Sequence, residues 1–115
     1  MRFGTMFEQG EIVVVPFPFS DLSAIKQRPV LILSKNVDNA AAEDMITCGI
    51  TSNIKNARYS VLIDNKDLDI GEIPKRSRIK VNKLFTINQD IVRKKVAKVN
   101  KQTFSKVKEE FFRLI

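Results

Sequence analysis

The sequence predicts a mainly β fold, a small barrel of about six strands followed by a carboxy-terminal α-helix. Short apolar runs rich in β-branched residues recur between residues 10 and 99, and turn-forming residues separate them. Residues 100–114 instead carry apolar side chains at helical spacing. The chain has 115 residues, 43% of them apolar, which suits one domain spanning residues 1–115 with a core of its own.

The first two predicted strands are continuous apolar runs. Residues 12–15 (IVVV) and 30–33 (VLIL) have the composition of strands buried on both faces. Pro16 and Pro18 are expected to end the first strand, because proline cannot donate a hydrogen bond to a sheet.

Arg28 stands just before Pro29, where the second strand begins, after a connection (18–27) that is long for a simple hairpin. Proline favours an extended backbone in the residue before it, so we expect Arg28 to be held at a strand edge. Its guanidinium offers five donors in a planar fork that suits phosphate. A solvated charge flanking a strand is the alternative interpretation.

The middle of the chain predicts two more strands. Residues 35–44 are polar and alanine-rich and indicate a connection with at most a helical turn. Residues 45–50 and 59–63 indicate the third and fourth strands. Residues 64–74 are acidic and turn-rich, and we expect a loop there. Cys48 lies in the apolar run of the third strand and is expected in the core.

Residues 77–87 predict a long strand with one buried and one solvated face. The buried face comprises Ile79, Val81 and Phe85. The solvated face comprises Arg78, Lys80 and Asn82. Lys83 breaks the alternation, as a β-bulge would.

The carboxy-terminal part predicts a last, basic strand over residues 91–99 and then the helix. Asn100 is expected to cap that helix by accepting from first-turn amides. The helical spacing comprises Phe104, Val107, Phe111 and Leu114. We expect this face to pack on the barrel, with membrane binding as the alternative.

The charge is unevenly distributed along the chain. The formal net charge is +7, but residues 75–108 hold twelve basic side chains and one acidic side chain, so this segment is +11 and the remainder is −4. Such a basic segment is typical of a nucleic-acid binder. A solvated, solubilising surface is the alternative.

Composition excludes several kinds of chemistry. The chain has no histidine and one cysteine, which excludes histidine general acid–base catalysis, Ser-His-Asp or Cys-His nucleophiles, and zinc sites built from these residues. No clustered carboxylate motif suggests a magnesium site. No apolar run approaches membrane-spanning length and no signal peptide opens the sequence, so a cytoplasmic protein is expected.

Residues 10–34 (GEIVVVPFPFSDLSAIKQRPVLILS) resemble the amino-terminal signature of the MazF/PemK family of toxin endoribonucleases. That signature joins a Gly-acid-Ile opening, an apolar strand, a variable loop and an Arg-Pro pair before a second strand. Thr51-Ser52 matches the Thr-Ser pair at the end of the family's third strand. From chemistry alone, hydroxyls that satisfy the local backbone of a turn are the alternative for this pair. The resemblance covers roughly residues 9 to 114.

The resemblance implies an SH3-like (PemK/CcdB-type) barrel, usually a homodimer, acting as the toxin of a type II toxin–antitoxin system. The family cleaves single-stranded RNA, including mRNA, without a metal or another cofactor, and so inhibits translation. The ribose 2′-hydroxyl attacks the adjacent phosphate, leaving a 2′,3′-cyclic phosphate and a 5′-hydroxyl. An antitoxin with a disordered acidic tail is the implied partner, and the basic segment would attract it.

Carried onto this chain, the resemblance makes Arg28 and Thr51 the catalytic residues. Arg28 would stabilise the charge that develops on the phosphorane, and Thr51 would donate to the same phosphate. Ser52 is either a supporting donor or a loop residue.

The expected RNA-binding residues lie around this pair, and the 18–27 loop would flank and gate the site. They are Lys26, Arg78, Lys80 and Phe17. Arg78 and Lys80 would hold backbone phosphates. Stacking on a base would come from Phe17, Phe19 or Tyr59, unless the phenylalanines belong to the core.

Two other functions stay open. One is a CcdB-like toxin that binds gyrase on the same barrel and has no nuclease site. The other is a non-catalytic RNA-binding or regulatory barrel. RNA cleavage in the presence of a chelator separates the nuclease from both, and inhibition of supercoiling identifies the gyrase toxin.

Overall fold

The computed structural model describes residues 6–18 and 25–115. The strands in that part of the chain are β1 (Glu11–Pro18), β2 (Ile25–Ile32), β3 (Asp44–Thr51), β4 (Ser60–Ile63), β5 (Leu68–Gly71), β6 (Ser77–Asn88) and β7 (Lys94–Val99). Helix α1 (Asn36–Ala41) follows β2, and helix α2 (Lys101–Leu114) follows β7. Short 3-10 helices span Asn65–Asp67 and Gln89–Ile91.

All of the strand pairs are antiparallel, and they form one curled half-barrel sheet in the order β4-β6-β3-β2-β1-β7-β5. The predicted mainly β fold with a carboxy-terminal helix is confirmed. The described sheet has seven strands rather than about six, because the predicted 64–74 loop contains β5. The last strand begins at Lys94 rather than at residue 91, since a 3-10 turn comes first.

Helix α2 covers one side of the sheet, and we call this side the helix side. Asn100 caps it by accepting from the Thr103 amide at 2.8 Å, as predicted. Val107 is fully buried, and Phe104 and Phe111 pack against the core on this side. That core includes Ile12, Leu31, Cys48 and Ile79. The predicted packing of the helix on the sheet is therefore confirmed.

The opposite side of the sheet has a second core. Its buried members are Phe7, Val13, Val15, Val30, Ile32, Met45 and Ile87. Val30 and Ile32 point to this side while Leu31 points to the helix side, and all three have no exposed surface. The prediction that this strand is buried on both faces is confirmed.

Pro16 does not end the first strand, contrary to expectation, because β1 stays in register with β2 through Pro16 and as far as Pro18, its last residue. At that end β1 pairs with β2 alone among the described strands, since the pairing with β7 stops at Val14. Prolines spaced two residues apart place both missing N–H groups on the same side of the strand. An edge without a partner on that side accepts them.

The predicted bulge at Lys83 is confirmed. Cys48 lies opposite Leu84 while Gly49 lies opposite Lys80, so residues 81–83 have no partner in β3. An odd number of inserted residues moves the following side chains to the other side of the sheet.

Candidate active site

A cavity of about 700 Å³, the site cavity, opens where the carboxyl end of β3 meets β2, β6 and the loop after β3. Its cationic lining residues are Arg28, Lys55, Lys80 and Lys83. Its aromatic lining residues are Phe17 and Phe85, and its hydroxyl and amide groups come from Thr51, Asn53 and Asn56. The cavity therefore combines positive charge, aromatic surface and hydrogen-bonding side chains.

Strand register brings Arg28 and Thr51 together. Val30 pairs with Gly49 in the β2–β3 ladder, and the same offset places Arg28 opposite Thr51, just beyond the last paired residues. Directly opposite residues of an antiparallel pair project to the same side. Both line the site cavity, and both are half-buried.

Ser52 lies in a different place from Thr51. It lines a second cavity of about 280 Å³, whose walls also include Arg28 and Lys75. Arg28 thus borders both cavities, whereas the two hydroxyl residues are divided between them. The alternation of side chains along an extended strand end separates the neighbours.

The site cavity has a one-sided charge. Four cationic side chains line it, and no carboxylate does among the residues that the structure describes. A concave surface with one sign of charge concentrates counter-ions and raises the rate of encounter with a polyanion. The lining is thus suited to a phosphate backbone.

Phe85 belongs to this cavity and not to the buried face that we predicted, since it is 37% exposed. The bulge at residues 81–83 explains the error, because it turns Phe85 away from the side occupied by Ile79. Its ring lies 4.9 Å, centroid to centroid, from that of Phe17, at an interplanar angle of 44°. Phe17 is half-buried and packs beside the second core, so it has core and cavity contacts at once.

Arg78 is buried, and the prediction that it lies on a solvated face is wrong. Its Nε and Nη2 donate to the carbonyl oxygen of Ile54 at 3.4 and 3.2 Å, and its Nη1 donates to Ser60 Oγ at 3.1 Å. The Ser60 hydroxyl in turn donates to the carbonyl oxygen of Ala57 at 2.5 Å. The loop after β3 therefore folds back over β6 and covers Arg78.

That loop also contains a short chain of local hydrogen bonds. The Asn53 amide donates to Thr51 Oγ1 at 3.1 Å, so the turn interpretation of the Thr-Ser pair is confirmed for Thr51. The Lys55 amide donates to Asn53 Oδ1, also at 3.1 Å. Tyr59 follows with a positive φ of 56°, and its hydroxyl accepts from the Arg58 guanidinium.

The remaining predicted site residues are spread out. Lys80 lines the site cavity as expected, whereas Lys26 is exposed on β2 opposite Phe17 and does not line it. Phe19 lies outside the described residues, as does most of the 18–27 loop. Tyr59 does not line the site cavity. Sequence reasoning missed Lys55, Lys83 and the two asparagines, because no local pattern distinguishes them from ordinary loop and strand residues.

The basic segment does not act as one surface. Lys98 Nζ lies 2.7 Å from Glu8 Oε1, and Lys95 Nζ lies 3.4 Å from Glu11 Oε2. The hydrogen bond and charge of Lys98 lower the pKa of the Glu8 carboxyl. The hydrogen bond and negative charge of Glu8 in turn raise the pKa of Lys98. Part of the predicted positive charge is thus neutralised at the amino-terminal segment, while Lys80 and Lys83 face the cavity.

Other chemistries find little support in the described residues. Residues 6–18 and 25–115 contain no group of three or more His, Cys, Asp or Glu placed to hold a metal ion. Burial raises the pKa of the Cys48 thiol to about 12, so it is protonated at neutral pH and suited to the core position predicted for it. Within the same residues, neither helix combines the length and apolarity that crossing a bilayer requires.

An antiparallel half-barrel, one packed helix and an arginine-containing cationic cavity define a small β protein suited to holding a polyanion. The chain belongs to the PemK-like, MazF-like toxin family of type II toxin–antitoxin systems, whose family model matches residues 8–115. The resemblance found in the sequence is therefore confirmed. No curated protein sequence matches the chain.

Solved structures share the fold. One is MazE–MazF (Form-II) from Deinococcus radiodurans, with a TM-score of 0.79, 18% identity and 96% of each chain covered. A mycobacterial endoribonuclease matches with a TM-score of 0.75 and 18% identity, over 97% of this chain and 93% of that one. A mycobacterial endoribonuclease in complex with its cognate antitoxin also has a TM-score of 0.75 and 18% identity, over 93% and 92%. At this identity the likeness concerns the fold.

Proposed function

We propose that this toxin is an endoribonuclease that cleaves single-stranded RNA and is neutralised by a cognate antitoxin. The observation that carries the proposal is the position of Arg28 opposite Thr51, just beyond the paired residues of β2 and β3, on the wall of a cavity with four cations and, in the described residues, no carboxylate. The solved structures that share this fold include a mycobacterial endoribonuclease and complexes of such toxins with an antitoxin. They support the proposal that this chain has the same class of activity and the same kind of partner.

In the proposed reaction, the ribose 2′-oxygen attacks the adjacent phosphorus and the bond to the 5′-oxygen breaks. The 2′-hydroxyl loses its proton, the 5′-oxygen gains one, and a 2′,3′-cyclic phosphate remains. The guanidinium of Arg28 stabilises the negative charge that grows on the non-bridging oxygens. The Thr51 hydroxyl, already accepting from Asn53, donates its proton toward the same phosphate.

The other predicted residues have graded support. Lys80 and Phe17 line the site cavity, which favours phosphate contact by the first and base stacking by the second. Lys26 lies on the strand of Arg28 and contacts RNA outside the cavity. Ser52 supports the site from the second cavity. The contacts of Arg78 favour a role in holding the loop over a direct phosphate contact.

The test is digestion of diverse single-stranded RNAs in excess EDTA, with the product ends identified chemically. Cyclic-phosphate ends are expected from the unmodified protein, and their loss is expected in Arg28→Ala and Thr51→Ala. Arg113→Ala is the matched control, since Arg113 is an exposed helix residue that forms an ion pair with Glu110 of the same helix. RNA binding and thermal unfolding of each variant confirm an intact fold. No cleavage by the unmodified protein would refute the nuclease proposal and direct attention to gyrase inhibition.

We also propose that residues 1–115 form one domain, that the toxin is a homodimer and that it acts in the cytoplasm on mRNA. The family resemblance supports all three. Light scattering of the purified protein tests the dimer, and a monomer at micromolar concentration would contradict it. Fractionation of expressing cells tests the location, and limited proteolysis tests the domain.

A further inference from the structure

We propose that the 53–57 loop recognises an RNA base in the site cavity, and that buried Arg78 is the positioning residue that holds this loop. The inference rests on the proposed function, because it assigns the source of that nuclease's sequence preference. The loop contributes Asn53, Lys55, Asn56 and Ala57 to the cavity wall. Phe17 and Phe85 line the same cavity.

The chemistry of the cavity divides into two parts. Lysine and arginine bind the uniform phosphate backbone and carry no sequence information. Single-stranded RNA is instead distinguished by bases that stack on aromatic rings and hydrogen-bond along their edges. Side-chain amides suit those edges, because each offers two donors and an acceptor. Asn53 and Asn56 are the amides that line this cavity, within the described part of the chain.

Hydrogen bonds inside the loop determine which amide atoms face a ligand. Asn53 Oδ1 accepts from the Lys55 amide, so Nδ2 is the side-chain group that Asn53 offers to a base acceptor in the proposed subsite. Asn56 forms no side-chain hydrogen bond with any described residue. The cavity of about 700 Å³ is large enough to hold a nucleobase together with its sugar and phosphate.

Arg78 is unusual because its buried charge has only neutral partners. It is 9% exposed, and its hydrogen bonds go to Ile54 O and Ser60 Oγ, with no carboxylate partner among the described residues. Burying a charge without a counter-ion is costly, and here only hydrogen bonds to neutral groups offset that cost. Here the planar fork binds Ile54 directly and reaches Ala57 through the Ser60 hydroxyl, so it links both parts of the 53–57 loop to β6. Thr51 lies directly opposite Arg78 in the sheet, so the loop and the proposed catalytic residue share one support.

Recognition by fixed donors requires a fixed loop. A base edge is discriminated only when the amide groups are held in place before binding, because ordering them on binding would consume the gain. Lysine retains the charge of arginine but has a single nitrogen, which cannot reach Ile54 O and Ser60 Oγ in the same geometry. Arg78→Lys should therefore loosen the loop without removing the cation.

The experiment is cleavage of a randomised single-stranded RNA library followed by sequencing of the cut sites. Asn53→Ala and Asn56→Ala are expected to reduce base discrimination next to the cut by about tenfold, with cleavage retained. Gln102→Ala and Lys66→Ala, exposed residues outside the cavity, are the controls. Arg78→Lys is expected to broaden the preference at all loop-dependent positions while the thermal unfolding midpoint stays high. A merely structural Arg78 would change the midpoint and leave the base frequencies alone.

Base frequencies identical to those of the unmodified protein in both asparagine variants would overturn the inference while leaving the nuclease proposal intact. If the unmodified protein cleaves no RNA, the same variants are compared by fluorescence anisotropy on labelled U, A and C octamers. Discrimination among these octamers that Asn56→Ala abolishes would support the subsite. Equal binding of the three octamers by the unmodified protein would overturn it.

Discussion

In the proposed reaction, the role of Arg28 depends on the planar geometry of its guanidinium as well as on its charge. It borders two cavities and lies opposite Thr51, within β2 and paired with Val15 of β1, so in the proposed reaction a rigid strand holds its guanidinium against the phosphate. A planar guanidinium can donate hydrogen bonds to two non-bridging phosphate oxygens at once, whereas an ammonium group acts as a single point charge.

Arg28→Lys should therefore keep RNA binding and lose most of the cleavage rate. We expect a reduction of about a hundredfold in the single-turnover rate, the usual effect of removing one donor from a transition-state site. The rate at saturating RNA measures it, with Arg113→Lys as the control. A loss of less than about threefold would mean that Arg28 supplies only charge.

Among the three glycines that the structure describes, Gly71 is the one whose backbone least tolerates a side chain. Its φ is +76°, and an added Cβ would overlap the Val96 carbonyl oxygen and lie 2.9 Å from Ala97 Cα. Gly71→Ala should lower the free energy of unfolding by about 2 kcal/mol or more, by straining the backbone and pushing β5 from β7. Denaturant titration measures the loss. Gly49→Ala is the control, since a Cβ there makes only ordinary contacts, the nearest at 3.5 Å.

Among the elements, helix α1 contributes a buried amide that helps to hold the amino-terminal segment. Asn39 in α1 is 3% exposed, and its Nδ2 donates to the carbonyl oxygens of Phe7 and Ser34 at 3.1 and 3.0 Å. Its Oδ1 accepts from the Ser34 hydroxyl at 2.6 Å. A single side chain thus joins the segment before β1 to the connection after β2.

Asn39→Ala should lower the free energy of unfolding by about 2 kcal/mol, because it leaves the buried Phe7 carbonyl and the partly buried Ser34 carbonyl without their donor. Urea titration measures the change. Asn82→Ala, on the exposed part of β6, should change it by less than about 0.5 kcal/mol. Equal effects of the two substitutions would mean that water replaces the Asn39 donors.

Elements were predictable where local pattern and tertiary contact agree. The β-branched runs of β1 and β2, the cap at Asn100 and the phenylalanine spacing of α2 all carry their own signal. β5 does not, because an edge strand is held by backbone bonds to β7 and needs no apolar alternation.

The site was predictable in part for the same reason. The family resemblance singled out Arg28 and Thr51 in the sequence, and strand register places them on one side of the sheet. The burial of Arg78 depends on Ile54, 24 residues earlier in the chain. Phe85 changed sides through a bulge whose consequence follows only once β3 is paired. Contacts of this kind have no local signature.

At the scale of the whole molecule, charge is divided between two regions. The site cavity has cations without described acids, whereas Glu8 and Glu11 pair with lysines of β7 at the amino-terminal segment. Because the Glu8 carboxyl has a lowered pKa, its contribution to stability is present above its ordinary value of 4.5 and is lost as the pH falls through the lower folded value. Because the pKa of Lys98 is raised, the stability that its ion pair with Glu8 contributes is lost in alkaline solution, as the pH rises through that raised pKa.

Glu8→Gln should consequently lower the unfolding midpoint slightly near neutral pH, and the difference from the unmodified protein should vanish in acid. Thermal unfolding between about pH 3 and pH 8 measures this convergence. Glu109→Gln, on the exposed face of α2, serves as the reference. A difference that is constant across the range would show that the Glu8 charge is not responsible.

Because Cys48 is buried, chemical labelling of its thiol reports local opening of the sheet around it. A thiol with no exposed surface reacts with an alkylating reagent only when the surrounding sheet separates. The labelling rate under native conditions therefore measures how often the third strand leaves its neighbours, without any introduced probe. Bound antitoxin or RNA should slow that labelling in proportion to its affinity. The sole cysteine thus gives a kinetic assay for toxin neutralisation that needs no catalytic turnover.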